Sequence, residues 1–323
     1  MRKALVVGIN KYPTVPLAGC IKDATLFGNI ISRHGDGQKN FEVRTEFDVP
    51  TKRDLRKMIS ELFATKCDLA LFYYSGHGFI NELGGYIVTP DHQKYDEGVP
   101  MDEILQLANN SKATDKVIIL DCCNAGAMGS PVILNNNASH ITEGVTILTS
   151  SMDHEPSREI NGLGVFTNLL LSALEGGAAN VTGEISPGSV YAYIDKALGL
   201  WDQQRPVFKT NVFRFNSLRT VQPQISLDIL RKITEYFSNS KDEYKLNPSY
   251  EDQNSPEIKS FIKEPYANQS NVKVLKHLQA MQSVGLVVPV DAPYMFFAAM
   301  NSKSCKLTPL GQHYWNLVKD NKL

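Results

Sequence analysis

The residue types best suited to covalent chemistry in this chain are a histidine and a cysteine that follow two predicted strands. His77 comes shortly after the apolar run 67–72, and Cys123 comes shortly after the run 116–120. Such runs, separated by helical stretches, are typical of parallel sheets, which present functional side chains beyond the carboxyl ends of their strands. At one such edge the imidazole could take the thiol proton, and the thiolate could then attack a carbonyl carbon.

The elements that would position these residues alternate between strand and helix. Apolar periodicity and helix-start signals predict strands at 3–9, 41–47, 67–74, 116–121, 144–149 and 206–213, and helices at 19–33, 51–64, 101–110, 163–175 and 187–198. This alternation predicts an α/β domain with an open, mostly parallel sheet and helices on both faces. We place this domain at 1–216, a linker at 217–225 and a second domain at 226–323.

The second domain has a different pattern. A predicted helix ends at Gly285, and two extended runs follow at 286–290 and 294–299. Thr308 and Pro309 then predict the start of a last helix. This order is similar to the winged helix-turn-helix modules of many bacterial regulators, so we expect a smaller α+β, winged-helix-like domain.

Composition narrows the possible classes of protein. The chain has 33 Lys+Arg and 34 Asp+Glu, a balance that argues against an obligatory nucleic-acid or anionic-membrane partner. Its five cysteines, an odd number without paired metal-ligand spacing, predict reduced thiols rather than a disulfide framework. We find no run of about 18 apolar residues, and the apolar stretch near the amino terminus predicts a buried strand rather than a signal peptide. We therefore expect a cytoplasmic protein without a membrane partner.

Residues 1–215 resemble the caspase-like proteases, and in particular their metacaspase and prokaryotic branch. The resemblance rests on Ala4-Leu5-Val6-Val7-Gly8-Ile9-Asn10-Lys11-Tyr12, Leu17-Ala18-Gly19-Cys20-Ile21-Lys22-Asp23-Ala24, Tyr74-Ser75-Gly76-His77-Gly78 and Asp121-Cys122-Cys123-Asn124-Ala125-Gly126. It implies that Cys123 is the nucleophile, because Cys123 matches the family pattern Asp-x-Cys-x-x-Gly. Cys122 would then be a small thiol that fills core volume.

The same resemblance implies the remaining catalytic roles. His77 would act as general base and acid, and the backbone N–H groups of Gly78 and Cys123 would hold the oxyanion. The glycines on both sides of His77 fit this role, because a side chain there would crowd the approaching substrate backbone.

A pocket for the residue before the scissile bond is also implied by the resemblance. Asp23, Ser75 and Asp121 match the positions that line this pocket, and Asp153 matches a further acidic position on the loop opposite. Carboxylates in a partly dry pocket select a cation, and a guanidinium can be held by paired hydrogen bonds. We therefore expect an endopeptidase that cleaves protein substrates after Arg or Lys.

Calcium-dependent metacaspases use a cluster of aspartates beyond the histidine loop. Asp91 and Asp102 match two of its positions, whereas Met101 and Ser130 occupy two others and offer no carboxylate. Calcium prefers six to eight oxygen ligands, so this partial match predicts that the protein uses no cofactor.

A protease without a calcium switch needs another form of control, and the second domain is the candidate. Prokaryotic caspase-like proteases often accompany accessory domains in defence systems, so the resemblance implies a regulated effector in defence or stress. Residues 226–323 carry 12 Lys+Arg and 10 Asp+Glu, which favours an activating protein partner over nucleic acid. Two alternatives remain: a catalytically silent caspase-like scaffold, and a DNA-binding regulator that acts through the winged helix.

Overall fold

The computed structural model describes residues 1–122, 140–150, 159–160, 163–199, 205–252 and 263–323. The chain divides into two compact units, Met1–Gln222 and Pro223–Leu323. The division falls inside the predicted linker.

The strands of the first unit are β1 (Arg2–Gly8), β2 (Glu42–Phe47), β3 (Leu69–Ser75), β4 (Gly78–Asn81), β5 (Gly84–Gln93), β6 (Asp96–Pro100), β7 (Asp115–Asp121), β8 (Val145–Thr149), β9 (Glu159–Ile160), β10 (Leu163–Gly164), β11 (Glu184–Ile185), β12 (Val207–Asn211) and β13 (Arg219–Thr220). Its helices are α1 (Cys20–Ser32), α2 (Lys52–Ala64), α3 (Met101–Asn109), α4 (Val165–Ser172), which continues as a π-helical turn (Ala173–Gly177), and α5 (Pro187–Leu198). Six strands form the central sheet in the order β12-β8-β7-β3-β1-β2. Every neighbouring pair in this sheet is parallel except β12 with β8, which confirms the predicted α/β class with a mostly parallel sheet.

Two hydrophobic clusters cover the faces of the central sheet. One holds Phe72 and Tyr74 of β3 with buried residues of α2 and α3, and the other holds Leu71 and Tyr73 with buried residues of α1, α4 and α5. Alternate residues of a strand point to opposite faces. Helices therefore pack on both sides of the sheet.

Residues 78–100 contain an antiparallel sheet of β4, β5 and β6 that the sequence pattern did not predict. Gly98 has φ +155°, and a Cβ atom there would lie 3.0 Å from the Cα of Val88 and closer still to the carbonyl oxygen of Ile87. Glycine thus allows β5 and β6 to approach, but it weakens the apolar alternation by which strands are recognised.

The second unit contains α6 (Leu227–Arg231), α7 (Ile233–Tyr236), β14 (Glu243–Lys245), a 3-10 turn (Pro248–Tyr250), α8 (Gln269–Ser283), β15 (Val287–Val290), α9 (Met295–Met300), β16 (Ser304–Leu307) and α10 (Pro309–Lys319). Strand β16 pairs antiparallel with both β14 and β15. The hydroxyl of Thr308 accepts from the N–H of Gly311 at 3.0 Å, as expected for the cap of α10. No helix in the described part of the chain is long and apolar enough to cross a membrane.

The predicted extended run 294–299 is wrong, because α9 occupies this stretch. Met295, Ala298 and Ala299 are buried, at the three- and four-residue spacing of one helical face. A run of only six residues is too short for periodicity to separate a helix from a buried strand. The winged-helix-like nature of this unit stays a prediction.

Candidate active site

Strands β3 and β7 are parallel neighbours that end together. Ser75 at the end of β3 pairs in register with Asp121 at the end of β7. His77 is two residues beyond Ser75 and Cys123 is two residues beyond Asp121. Since neighbouring strands lie about 4.8 Å apart, the residues just before His77 and the residues just before Cys123 lie at the same edge of the sheet. Cys123 itself lies outside the described residues.

Hydrogen bonds from the surrounding backbone and from a tyrosine fix His77. Its Nε2 lies 2.7 Å from the carbonyl oxygen of Val15. A carbonyl can only accept, so in the neutral imidazole Nε2 carries the hydrogen and Nδ1 is the acceptor. The backbone N–H of His77 donates to the Tyr12 hydroxyl at 3.0 Å, and its carbonyl accepts from the N–H of Val88 at 2.9 Å.

Tyr12 and Tyr74 form a buried hydroxyl pair beside His77, with 3.1 Å between their oxygens. The Tyr74 hydroxyl lies 2.8 Å from the carbonyl oxygen of Val88 and 3.0 Å from that of His77. The Tyr12 ring meets the imidazole edge to face, with centroids 4.5 Å apart. Burial is the largest cause that raises the pKa of both tyrosines, so both hydroxyls keep their hydrogens at neutral pH.

Gly76 packs against these hydroxyls. A Cβ atom at Gly76 would lie 2.6 Å from the Tyr12 oxygen and closer still to that of Tyr74. The expected reason for this glycine was room for the substrate backbone. The structure gives a different reason, because the hydroxyls of the protein fill the space that a side chain would need.

Asp23 and Asp121 form a buried acidic pair, with 3% and 5% of each residue exposed. Asp23 accepts from the Ser75 hydroxyl and from the N–H of Gly164, both at 3.3 Å, and Asp121 accepts from the Thr167 hydroxyl at 2.7 Å. A Cβ atom on Gly164 would lie 2.7 Å from Oδ2 of Asp121 and 3.3 Å from Oδ2 of Asp23. Both carboxylates therefore lie against Gly164, where the Cβ atom of any other residue would crowd them.

Tyr73 supports the acidic pair from within the core. Its hydroxyl lies 2.6 Å from that of Thr167, which donates onward to Asp121, so Tyr73 is the donor of the first bond. Burial, and then the charges of Asp121 and Asp23, raise the pKa of Tyr73 well above its usual value.

The structure thus brings Asp23, Ser75 and Asp121 together, and their role in substrate binding stays a prediction. Asp153 lies outside the described residues. Sequence reasoning missed Gly164 and Thr167. A threonine in the mostly apolar segment 165–171 was the signal that could have found the latter.

Cys122 is buried in the core on the α2 and α3 side, with 1% of the residue exposed. Its carbonyl accepts from the Ser150 hydroxyl at 3.2 Å. This burial matches the prediction of a thiol that fills core volume.

Asp91, one of the two positions that matched a calcium cluster, serves the fold. Asp91 accepts from the N–H of Lys52 at 3.0 Å, at the start of α2, where helical N–H groups lack partners within the helix. Glu103, next to Asp102, forms hydrogen bonds of 2.6 and 2.9 Å with the guanidinium of Arg56. Within the described ranges no group of three or more His, Cys, Asp or Glu could hold a metal ion. Independence from calcium stays a prediction.

Comparison with known proteins defines the family. Residues 1–257 match the caspase domain of the C14 peptidases. This match covers most of the chain, so the chain belongs to the caspase-domain peptidases, a family of cysteine hydrolases.

Individual relatives agree with this assignment. Metacaspase-9 of Arabidopsis thaliana is 33% identical over 147 residues, which are 39% of this chain and 44% of that protein. Caspase-1 of Spodoptera frugiperda has a TM-score of 0.50 and 14% identity, covering 68% of this chain and 91% of its own. Protein GSU0716 of Geobacter sulfurreducens has a TM-score of 0.50 and 17% identity, covering 69% of this chain and 98% of its own. The two solved structures share the fold, and the match to metacaspase-9 spans less than half of that relative.

Proposed function

We propose that this chain is a cysteine endopeptidase in which His77 and Cys123 form the catalytic dyad. The observation that carries this proposal is the register of Ser75 with Asp121, from which the histidine and cysteine segments leave the same sheet edge. The hydrogen bond from Nε2 of His77 to Val15 supports it, because Nδ1 is then the atom that accepts the thiol proton.

The reaction follows from these roles. The thiolate of Cys123 attacks the scissile carbonyl, and the N–H groups of Gly78 and Cys123 hold the resulting oxyanion. A donor of this kind is worth about 10²–10³ in kcat. The imidazolium of His77 then gives its proton to the leaving amine, and a thioester forms. Water, deprotonated by His77, hydrolyses the thioester and regenerates the thiol.

We further propose cleavage after Arg or Lys. The acidic pair of Asp23 and Asp121, with Ser75 beside it, supports this preference. The resemblance implies that Asp153 is a further acidic residue of this pocket. Ser75, the Gly164 amide and Thr167 are neutral donors that orient the carboxylate oxygens. A substrate guanidinium or ammonium would pair with these carboxylates in a dry environment, where the interaction is strong.

Control of the enzyme is proposed to come from an activating protein partner of the second unit, in a cytoplasmic defence or stress system. On α8, the helix that would contact DNA in a winged-helix module, Lys276 pairs with Asp252 at 2.7 Å. This pairing reduces its attraction for a phosphate backbone and favours a protein partner over nucleic acid.

A peptide panel tests the proposed function directly. Fluorogenic peptides with Arg, Lys, Asp or Leu before the reporter are offered to the wild type, to Cys123→Ala and to Cys122→Ala. We expect the wild type and Cys122→Ala to cleave the Arg and Lys peptides, and Cys123→Ala to cleave none. Preference for Asp would contradict the proposed specificity. Cleavage by Cys123→Ala, or none by the wild type, would contradict the proposed activity.

A further inference from the structure

A groove of 410 Å³ is lined by His77 and by Val15, whose carbonyl oxygen accepts from the imidazole. The lining residues that matter here are Tyr12, Val15, His77, Gly78, Phe79 and Val88. The acidic pair of Asp23 and Asp121 contributes nothing to this lining. The groove is therefore a second concave surface that shares only the histidine side of the candidate active site.

We infer that this groove binds an apolar side chain at the first position after the scissile bond, an assignment that rests on the proposed function above. A catalytic imidazole must reach the nitrogen of the leaving segment to protonate it. The leaving segment therefore departs on the His77 side, whereas the residue before the scissile bond is held by Asp23 and Asp121. A groove that His77 lines and the acidic pair does not line is positioned for the first residue of the leaving segment.

The chemistry of the lining favours an apolar ligand. Val15, Val88 and the aromatic residues Tyr12 and Phe79 supply apolar surface, and burial of such surface against a ligand side chain drives binding. Phe79 follows the proposed oxyanion donor Gly78 directly, and 42% of this large apolar residue is exposed.

The charged part of the lining does not favour a charged ligand. Lys94 and Glu97, beside the turn that joins β5 to β6, carry opposite charges, so their contributions largely cancel. Selectivity for size and apolar character is therefore expected, in contrast to the selection of charge by the acidic pair.

Two internally quenched peptides test the assignment. They share the preferred residue before the scissile bond and differ only in the next residue, which is Leu in one and Gly in the other. We expect the wild type to favour the Leu peptide about tenfold in kcat/KM. Phe79→Ser should bring the ratio of the two kcat/KM values towards one. The ratio is the readout because any effect on the shared chemical step cancels in it.

Leu83→Ser is the matched control. Leu83 is 80% exposed in the turn between β4 and β5 and does not line the groove, so the ratio should keep its wild-type value. A wild-type ratio near one, or an unchanged ratio in Phe79→Ser, would overturn the groove assignment and leave the proposed function intact. Failure of the wild type to cut either peptide would count against the proposed function itself, and the groove assignment would fall with it.

Discussion

Two adjacent tyrosines of β3 serve different halves of the candidate site. Tyr73 hydrogen-bonds to Thr167 and through it supports Asp121, whereas Tyr74 contacts Tyr12 and the backbone carbonyl of His77. Because successive residues of a strand face opposite sides of the sheet, the two hydroxyls lie in different hydrophobic clusters. One strand thus supports the acidic pair from one face and the backbone of His77 from the other.

The two faces also use different kinds of partner. On the Tyr73 face the hydrogen bonds run between side chains and end on a carboxylate, so they orient charge. On the Tyr74 face they end on the carbonyl oxygens of His77 and Val88, so they set the position of the backbone. From this difference we expect that changes at these two adjacent positions alter specificity and turnover separately.

The largest effect is expected from removal of either member of the proposed dyad, of which the Tyr74 face positions His77. Cys123→Ala or His77→Ala should lower kcat/KM on every peptide by more than about a thousandfold, because each removes one half of the dyad. Cys122→Ala is the control and should retain most activity. Steady-state kinetics on the peptide panel measure the effect. Equal loss in a folded Cys122→Ala variant would reassign the nucleophile.

Substitutions in the acidic pair test the proposed role of the Tyr73 face most directly. Asp121→Asn or Asp23→Asn keeps the hydrogen-bond acceptor but removes the charge, so kcat/KM on the Arg peptide should fall about a hundredfold. The Leu peptide should be cut about as slowly as before. Asp68→Asn is the matched control. Asp68 precedes β3 and 73% of its side chain is exposed, so this substitution should leave kcat/KM on both peptides unchanged. Parallel losses on the Arg and Leu peptides would show that the pair serves the fold rather than specificity.

Paired substitutions of the tyrosines sharpen the contrast. Tyr74→Phe should lower kcat by about tenfold on all peptides alike, because His77 loses part of its backbone support. Tyr73→Phe should act mainly on the KM of Arg peptides, because Thr167 loses a donor and Asp121 is oriented less well. Each change leaves a buried polar group short of a partner and should lower the free energy of unfolding by about 1–3 kcal/mol.

Kinetics with both peptide classes and denaturant unfolding would distinguish the two variants. If both tyrosine variants lower kcat alike on every peptide, the proposed separation of the two faces is wrong.

The smallest effect is expected from calcium removal. Neither face of β3 needs a metal in the proposed mechanism, so a calcium chelator should change kcat/KM by less than about twofold. Asp91→Ala should instead cost about 0.5–2 kcal/mol of stability, because the first turn of α2 loses its acceptor. Activity that disappears with the chelator and returns with calcium would refute this prediction.

The sequence by itself determined which strands carry the candidate site. Apolar runs located β3 and β7, and the rule for strand ends placed His77 and Cys123 beyond one edge of the sheet. The resemblance to the caspase-like proteases singled out Ser75 and Asp121. The motif around Asp23 supplied the second carboxylate of the pair. The strand predictions succeeded because strand burial and strand direction leave strong, local patterns in the chain.

Other features were decided only by the tertiary structure. The carbonyl of Val15 orients His77, and a backbone oxygen carries no signature in the residue types. Gly76 and Gly164 are required by side chains from distant segments, Tyr12 in one case and Asp23 in the other. The different hydrogen-bond partners of Tyr73 and Tyr74 likewise depend on which helices cover each face of the sheet. Such contacts join residues far apart in sequence, so they arise only when the elements pack and local pattern cannot reveal them.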